Sequence, residues 1–156
     1  GLAGAGLVLL QRSQAPRSEA EARAVRAWTR PIAQIEAGVR ARSLATAAID
    51  VSDGLAEDLG RVARESGVRA IIDERAFVSE DLADVCAGVG LDPTELALSG
   101  GEDYALVVVA PARAPLHGFT RIGGCEPWRE GASPVALVFP DGSTRDVTAR
   151  GFDHFG

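Results

Sequence analysis

The sequence contains no lysine, and all 16 of its basic residues are arginine. A Walker A loop and a protein-kinase ATP site each place a lysine against the nucleotide phosphates. Neither type of site can therefore be built from these 156 residues. If the chain takes part in nucleotide chemistry, the phosphate charge must be neutralised by another route.

Cysteine and histidine are scarce as well. Cys86 and Cys125 form no Cys-x-x-Cys pair, and His117 and His154 lack the spacing of a zinc site. A disulfide scaffold is not expected at this size, so the cysteine usage indicates a reducing compartment. We expect the protein to be cytoplasmic.

Long apolar runs are missing too. No stretch approaches the roughly 18 residues of a membrane span, and the chain lacks the basic start of a signal peptide.

The net charge of −6 divides into +4 for residues 1–45 and −10 for residues 46–156. Such an acidic second part argues against nucleic-acid binding, and we expect neither nucleic-acid nor membrane partners.

The remaining composition, with 46% hydrophobic residues, predicts a single domain with a sizeable core. Gly1–Leu10 reads as a small-residue helix that begins without a capping residue, as if the chain had been cut from a longer protein. An S-x-x-E capping box predicts a helix over Ser18–Thr29. Further strands are predicted over Thr120–Gly123 and Pro134–Phe139, with a hairpin turn at Asp141-Gly142.

The stretch Thr46–Leu59 organises the prediction of the fold. Thr46–Val51 is typical of a buried strand, the amphipathic pattern after Gly54 predicts a helix, and Val68–Asp73 predicts a second strand. We therefore expect an α/β (α+β) fold: a two-layer mixed sheet with helices on one face, built around a βαβ unit. The turn at the carboxyl end of the first strand is where such sheets bind ligands.

That turn carries Asp50, Ser52 and Asp53, and two interpretations are open. Two carboxylates three residues apart suit a hard divalent cation, and the helix N-terminus attracts phosphate. Alternatively, Asp53 is the helix N-cap and the other polar residues only form the turn. The residue types alone do not decide between a metal site and a cap.

Two later stretches are unusual. Gly100-Gly101 precedes Glu102 and Asp103 and then a strand predicted over Tyr104–Val109. Near the end, Gly151–Phe155 (GFDHF) reads either as a packed tail or as an aromatic segment that stacks on a flat ligand.

Three stretches together resemble the thiamine-monophosphate kinase family of the aminoimidazole-ribonucleotide synthetase-like superfamily: Asp50–Leu55 (DVSDGL), Ala97–Leu106 (ALSGGEDYAL) and Gly151–Phe155. The resemblance covers essentially the whole chain and implies that it is a C-terminal domain. In that family an N-terminal domain supplies dimerisation and much of the ATP site, and the resemblance implies that this domain is not part of residues 1–156. Ala33 and Gln34 depart from the family's Pro-x-Pro-Arg pattern.

The resemblance implies transfer of the ATP γ-phosphate to thiamine monophosphate with Mg²⁺. By position, Asp50 and Asp53 would bind Mg²⁺, Ser52 would contact the ATP phosphates, and Glu102 and Phe152 would bind the substrate. An in-line, metal-assisted transfer suits a chain without lysine, and no residue is identified as a general base. The implied partners are the missing N-terminal domain and, in the intact protein, a second copy.

Two alternatives remain open from the sequence. The chain could belong to another ATP-dependent synthetase of the same superfamily, or it could be a non-catalytic binding domain. We expect little or no kinase activity from residues 1–156 alone.

Overall fold

The computed structural model describes residues 1–147, which contain seven helices and six strands. The helices are α1 (Leu2–Gln11), α2 (Glu19–Thr29), α3 (Ile35–Ala41), α4 (Leu55–Glu65), α5 (Glu74–Phe77), α6 (Glu80–Val89) and α7 (Pro93–Ser99). The strands are β1 (Ala47–Asp50), β2 (Val68–Asp73), β3 (Leu106–Val109), β4 (Gly123–Pro127), β5 (Val135–Val138) and β6 (Thr144–Asp146).

The strands of this part of the chain form two sheets. β1 and β3 pair antiparallel, with Asp50 opposite Leu106. The larger sheet has the order β4-β2-β5-β6, in which only β2 and β5 are parallel. The predicted mixed α/β class is confirmed, and the larger sheet is mixed as expected.

The predicted βαβ unit needs a correction. The order strand, helix, strand is as predicted, but β1 and β2 lie in different sheets and are not parallel neighbours. The reason is non-local pairing, because β1 takes its partner from residues 106–109 and β2 takes its parallel partner from residues 135–138. No periodicity within the stretch could have revealed either partner.

Three predicted strands also differ in detail. β1 alternates between half-buried and exposed positions instead of being buried throughout, since only one face of its two-stranded sheet is covered. β3 begins at Leu106 and not at Tyr104, which has a positive φ of 48° that ends regular extended backbone. The strand predicted over Thr120–Gly123 begins only at Gly123.

The core has two parts. In the first, α4 packs Leu55, Leu59 and Ala63 against Ile72 of β2 and Leu137 of β5, which confirms the amphipathic pattern. In the second, the small face of α1 packs against α2 and α6 through buried residues Ala5, Leu9, Ala24, Val85 and Cys86. The capping box is confirmed, because Ser18 Oγ accepts a hydrogen bond from the Glu21 backbone N–H at 3.1 Å.

The closest approach of α1 to α2 occurs at Gly6. A Cβ atom at this position would lie 2.0 Å from the Ala24 carbonyl oxygen, which belongs to rigid helix backbone. Only glycine fits, and the small residues of α1 are therefore what allows the two helices to touch.

We expect Gly6→Ala to lower the free energy of unfolding by about 2 kcal/mol or more, because the backbones of α1 and α2 must separate. The control is Gly88→Ala in α6, where the added Cβ would meet nothing nearer than Glu21 Oε1 at 3.8 Å. That control should be neutral or stabilising by up to about 1 kcal/mol. Urea unfolding of both variants measures the difference, and equal effects would contradict the packing argument.

Candidate functional site

The turn between β1 and α4 is not capped by Asp53. The N-cap of α4 is Gly54, which has a φ of +118° and lies against the carbonyl groups of Leu98 and Ser99. A Cβ atom on Gly54 would lie 3.0 Å from the Leu98 oxygen, so both the φ angle and the space require glycine. The interpretation of Asp53 as the N-cap is therefore wrong, and its side chain is left for another role.

The turn is held instead by Asp58, a residue of the first turns of α4. Asp58 is only 1% exposed, and its Oδ2 accepts hydrogen bonds from the backbone N–H groups of Ser52 at 2.8 Å and Asp53 at 2.9 Å. A buried carboxylate needs such donors to offset the loss of hydration. One buried side chain thus fixes the backbone that carries two predicted site residues.

Sequence reasoning assigned no role to Asp58, although a signal was present. Asp58 lies three residues after Leu55 and next to Leu59, on the face of α4 that packs into the core. A charged residue on the apolar stripe of a helix is buried at a cost unless it has a specific partner.

Arg61 joins the acidic side chains around this turn. Its guanidinium contacts Asp53 Oδ2 at 2.6 Å, Asp58 Oδ1 at 2.9 Å and Glu57 Oε1 at 3.4 Å. The hydrogen bond to Asp53 is the main cause of a raised pKa of Arg61. The negative charge of Asp53 is therefore already offset in part by a cation of the same helix.

Backbone hydrogen bonds bring the two predicted motifs together. The N–H of Glu102 donates to the Ser52 carbonyl at 2.8 Å, and the N–H of Tyr104 donates to the Val51 carbonyl at 2.9 Å. Positive φ angles at Glu102 (64°) and Tyr104 (48°) produce the tight path this pairing needs. Ser52 and Glu102, which are 50 positions apart in the sequence, thus lie side by side.

The carboxylates of the site raise the pKa of one hydroxyl group, that of Tyr104. Tyr104 Oη donates to Glu102 Oε2 at 3.0 Å. This hydrogen bond is the largest cause of a raised pKa of Tyr104, followed by the charge of Glu102, burial, and the charges of Asp50 and Asp53. We call Asp50, Asp53 and Glu102 the acidic patch, since all three carboxylates raise the pKa of the same phenol.

Asp103, the neighbour of Glu102, has a structural role. Its Oδ1 accepts a hydrogen bond from the Ala3 N–H at 2.8 Å, and its Oδ2 pairs with the Gly1 nitrogen. It therefore ties the second motif to the start of α1 and does not join the acidic patch. Phe152, the remaining predicted site residue, lies outside the described residues.

The acidic patch alone does not form a complete metal site. Within residues 1–147, no group of three or more His, Cys, Asp or Glu side chains is arranged to hold a metal ion. Asp50 is exposed at the end of β1, and Asp53 is half-buried beside Ser52. Their carboxylate oxygens are the ligand type that Mg²⁺ prefers, but the remaining ligands would have to come from elsewhere.

An apolar cavity of about 210 Å³ lies at the other end of β1. Its lining includes Thr46, Leu59, Val62, Val109 and Cys125, and it contains none of the predicted site residues. The candidate site is therefore the open acidic patch and not this cavity. None of the helices in the described part of the chain is long and apolar enough to cross a membrane.

Comparison with known families decides the classification. Residues 1–124 match the family described as AIR synthase related protein, C-terminal domain. The chain belongs to this family. The predicted resemblance is thereby confirmed at the level of the superfamily domain.

The curated relatives that the chain matches are thiamine-monophosphate kinases. The Aquifex aeolicus protein is 35% identical over 97% of this chain and 47% of its own length. The Salmonella typhimurium protein is 35% identical over 99% of this chain and 50% of its own length. The chain thus spans about half the length of these relatives.

A solved structure, described as AaThiL complexed with AMPPCP and TMP, has the same fold. It superposes with a TM-score of 0.83 and 32% identity over 99% of this chain and 48% of that chain. A protein that contains a domain of this architecture is therefore described as a complex with AMPPCP and TMP.

Because residues 1–156 contain a single tyrosine, the alkaline absorbance change of phenolate in this domain reports on Tyr104 alone. We expect its midpoint to lie above the usual value of about 10. Glu102→Gln should lower this midpoint, since it removes the charge that opposes phenolate formation. Glu65→Gln, an exposed position at the end of α4, serves as the control and should leave it unchanged. An unshifted midpoint in the unchanged protein would contradict the described hydrogen bond.

Proposed function

We propose that this chain is the C-terminal half of an enzyme that transfers the γ-phosphate of ATP to thiamine monophosphate, with Mg²⁺, to give thiamine diphosphate. The observation that carries the proposal is the hydrogen bond from the Glu102 N–H to the Ser52 carbonyl. It brings the residue predicted to contact phosphate next to the residue predicted to bind the substrate. The 35% identity to thiamine-monophosphate kinases over nearly the whole chain supports the same activity.

The roles follow from the chemistry of the side chains. Asp50 and Asp53 offer carboxylate oxygens to Mg²⁺, Ser52 lies at the start of α4 where phosphate is favoured, and Glu102 contacts the substrate. Phe152 is proposed to pack on the substrate's ring system. When bound, Mg²⁺ supplies neutralisation of the charge on the phosphates.

Asp50 and Asp53 carry oxygen ligands of the type that a divalent cation prefers, and further ligands are proposed to come from outside residues 1–147. Anionic phosphates would be repelled by this surface unless a metal ion lay between them. A chain without lysine has no ammonium group to take that place.

The rest of the active site is proposed to come from the other half of the protein. The relatives are about twice as long as this chain, and fewer than three ligand groups are assembled here within residues 1–147. We therefore treat residues 1–156 as one domain that is inactive by itself and that acts in the cytoplasm within a homodimer of the intact protein.

The surface that this other half would cover is exposed and apolar. Ile32 lies just before α3, and Ile35 and Val39 lie in it. These side chains are 76%, 72% and 55% exposed. Gly38 of α3 lies against Leu106, the cross-strand partner of Asp50, so this surface borders the acidic patch. We propose that the half of the protein outside residues 1–156 packs here and thereby closes the site.

The intact protein is expected to release ADP from ATP only when thiamine monophosphate and Mg²⁺ are present. Glu102→Gln should raise the KM for thiamine monophosphate by about tenfold or more and leave the KM for ATP unchanged, because a charged contact to the substrate is lost. Glu65→Gln is the matched control and should behave as the unchanged protein. Coupled ADP assays measure both constants. Release of ADP in the absence of thiamine monophosphate would contradict the proposal.

The surface formed by Ile32, Ile35 and Val39 is tested by one substitution, made both in the intact protein and in residues 1–156 alone. Ile35→Ser should lower the free energy of unfolding by about 1–2 kcal/mol in the intact protein, where the side chain is covered. In residues 1–156 alone the same change should have almost no effect, because Ile35 is exposed to solvent. Leu10→Ser, at a partly exposed position on α1, is the control and should have equal effects in both. Equal effects for Ile35→Ser would refute the docking.

A further inference from the structure

Tyr104 lies two residues after Glu102, the proposed substrate contact, and its hydroxyl group meets that side chain. Tyr104 Oη donates a hydrogen bond to Glu102 Oε2 at 3.0 Å. Ser143 makes the same kind of contact in the β5–β6 hairpin, where its Oγ donates to Asp141 Oδ1 at 2.6 Å. The two contacts are matched in sequence spacing and in chemistry, but they differ in their backbone.

The backbone at Glu102 and Tyr104 has a conformation that side-chain-bearing residues rarely adopt. Both residues have a positive φ, 64° at Glu102 and 48° at Tyr104, whereas Asp141 and Ser143 do not. A positive φ costs free energy in residues other than glycine, so it persists only where surrounding contacts impose it. Strain of this kind is concentrated at functional sites in proteins.

The contacts that impose this conformation come from the turn before α4. The N–H of Glu102 donates to the Ser52 carbonyl at 2.8 Å, and the N–H of Tyr104 donates to the Val51 carbonyl at 2.9 Å. Because both carbonyls belong to the stretch that carries Ser52, the backbone of Glu102 is fixed relative to that residue.

These backbone contacts do not by themselves orient the Glu102 carboxylate, because a glutamate side chain rotates about several bonds. The Tyr104 hydroxyl group supplies such a constraint by holding Oε2. A long charged side chain loses rotational freedom when it binds a ligand, and a neighbour that orders it beforehand reduces this loss. The side chain of Asp103 is engaged elsewhere, since its Oδ1 accepts the Ala3 N–H at 2.8 Å.

We propose that Tyr104 is a positioning residue whose hydroxyl group holds the Glu102 carboxylate in the orientation in which it binds the substrate. The inference rests on the proposed function, in which Glu102 contacts thiamine monophosphate. Tyr104 acts on the substrate only through Glu102, by reducing the entropy that this side chain loses on binding. Removal of the hydroxyl group therefore weakens substrate binding and leaves the phosphate transfer step unchanged.

The test measures the steady-state kinetics of the intact protein with ATP and thiamine monophosphate. Tyr104→Phe keeps the aromatic ring and removes only Oη. We expect the KM for thiamine monophosphate to rise about three- to tenfold, the size that a half-buried hydrogen bond to a charged group supports. The kcat and the KM for ATP should not change, because the contact strengthens binding of substrate and transition state equally. An unchanged KM for thiamine monophosphate would overturn the inference.

Ser143→Ala is the matched control. It removes a hydroxyl group that donates to a carboxylate two residues earlier, at a hairpin that contains none of the proposed site residues. All three kinetic constants should stay at the values of the unchanged protein. A rise in the KM for thiamine monophosphate equal to that of Tyr104→Phe would contradict a role specific to Tyr104.

A double-mutant cycle shows whether Tyr104 acts through Glu102. Glu102→Ala removes the carboxylate that accepts the hydrogen bond and should itself raise the KM for thiamine monophosphate. In the Glu102→Ala background, Tyr104→Phe should cause no further rise. The same fold-change in both backgrounds would overturn the inference, because Tyr104 would then act on the substrate by a route that does not involve Glu102.

Glu102→Ala also separates a failure of this inference from a failure of the proposed function. If Glu102→Ala raises the KM for thiamine monophosphate while Tyr104→Phe does not, only the positioning role is lost. If Glu102→Ala leaves this KM unchanged, or if ADP release does not require thiamine monophosphate, the proposed function fails at this site and the inference fails with it.

Discussion

The Asp58 carboxylate is the interaction on which the candidate site depends. A carboxylate that is 1% exposed is tolerated only when its charge is met by donors, and here two backbone N–H groups and one guanidinium supply them. The two N–H groups belong to Ser52 and Asp53, which precede α4, and the guanidinium belongs to Arg61 within α4. The cost of burying Asp58 is therefore offset by ordering the turn that carries Ser52 and Asp53.

A second constraint acts on the same turn from outside. Gly54 packs against the end of α7, and the Ser52 carbonyl accepts the Glu102 N–H, so one distant stretch, residues 98–104, encloses residues 51–54. The acidic patch is thus assembled on backbone that is fixed from both sides.

Much of this arrangement could be predicted from local patterns. The helix cap at Ser18, the span of β2 and the helix after Gly54 follow from signals within a few residues, and the structure confirms them. Motifs also singled out Asp50, Ser52 and Glu102, whose roles in a site stay predictions. The roles of Asp58 and Arg61 were missed, because a burial of 1% and a shared guanidinium depend on which side chains meet in the folded chain.

The sequence by itself determined α1, α2 and α4, the absence of any lysine-based phosphate site and the membership of a superfamily domain, since each depends on residue type and short spacing. The tertiary structure decided that β1 pairs with β3 and not with β2, and that Asp53 faces Arg61 instead of capping α4. Strand partners and ion pairs of this kind join residues through space. Their energies depend on distances and burial that no local pattern of amino acids encodes.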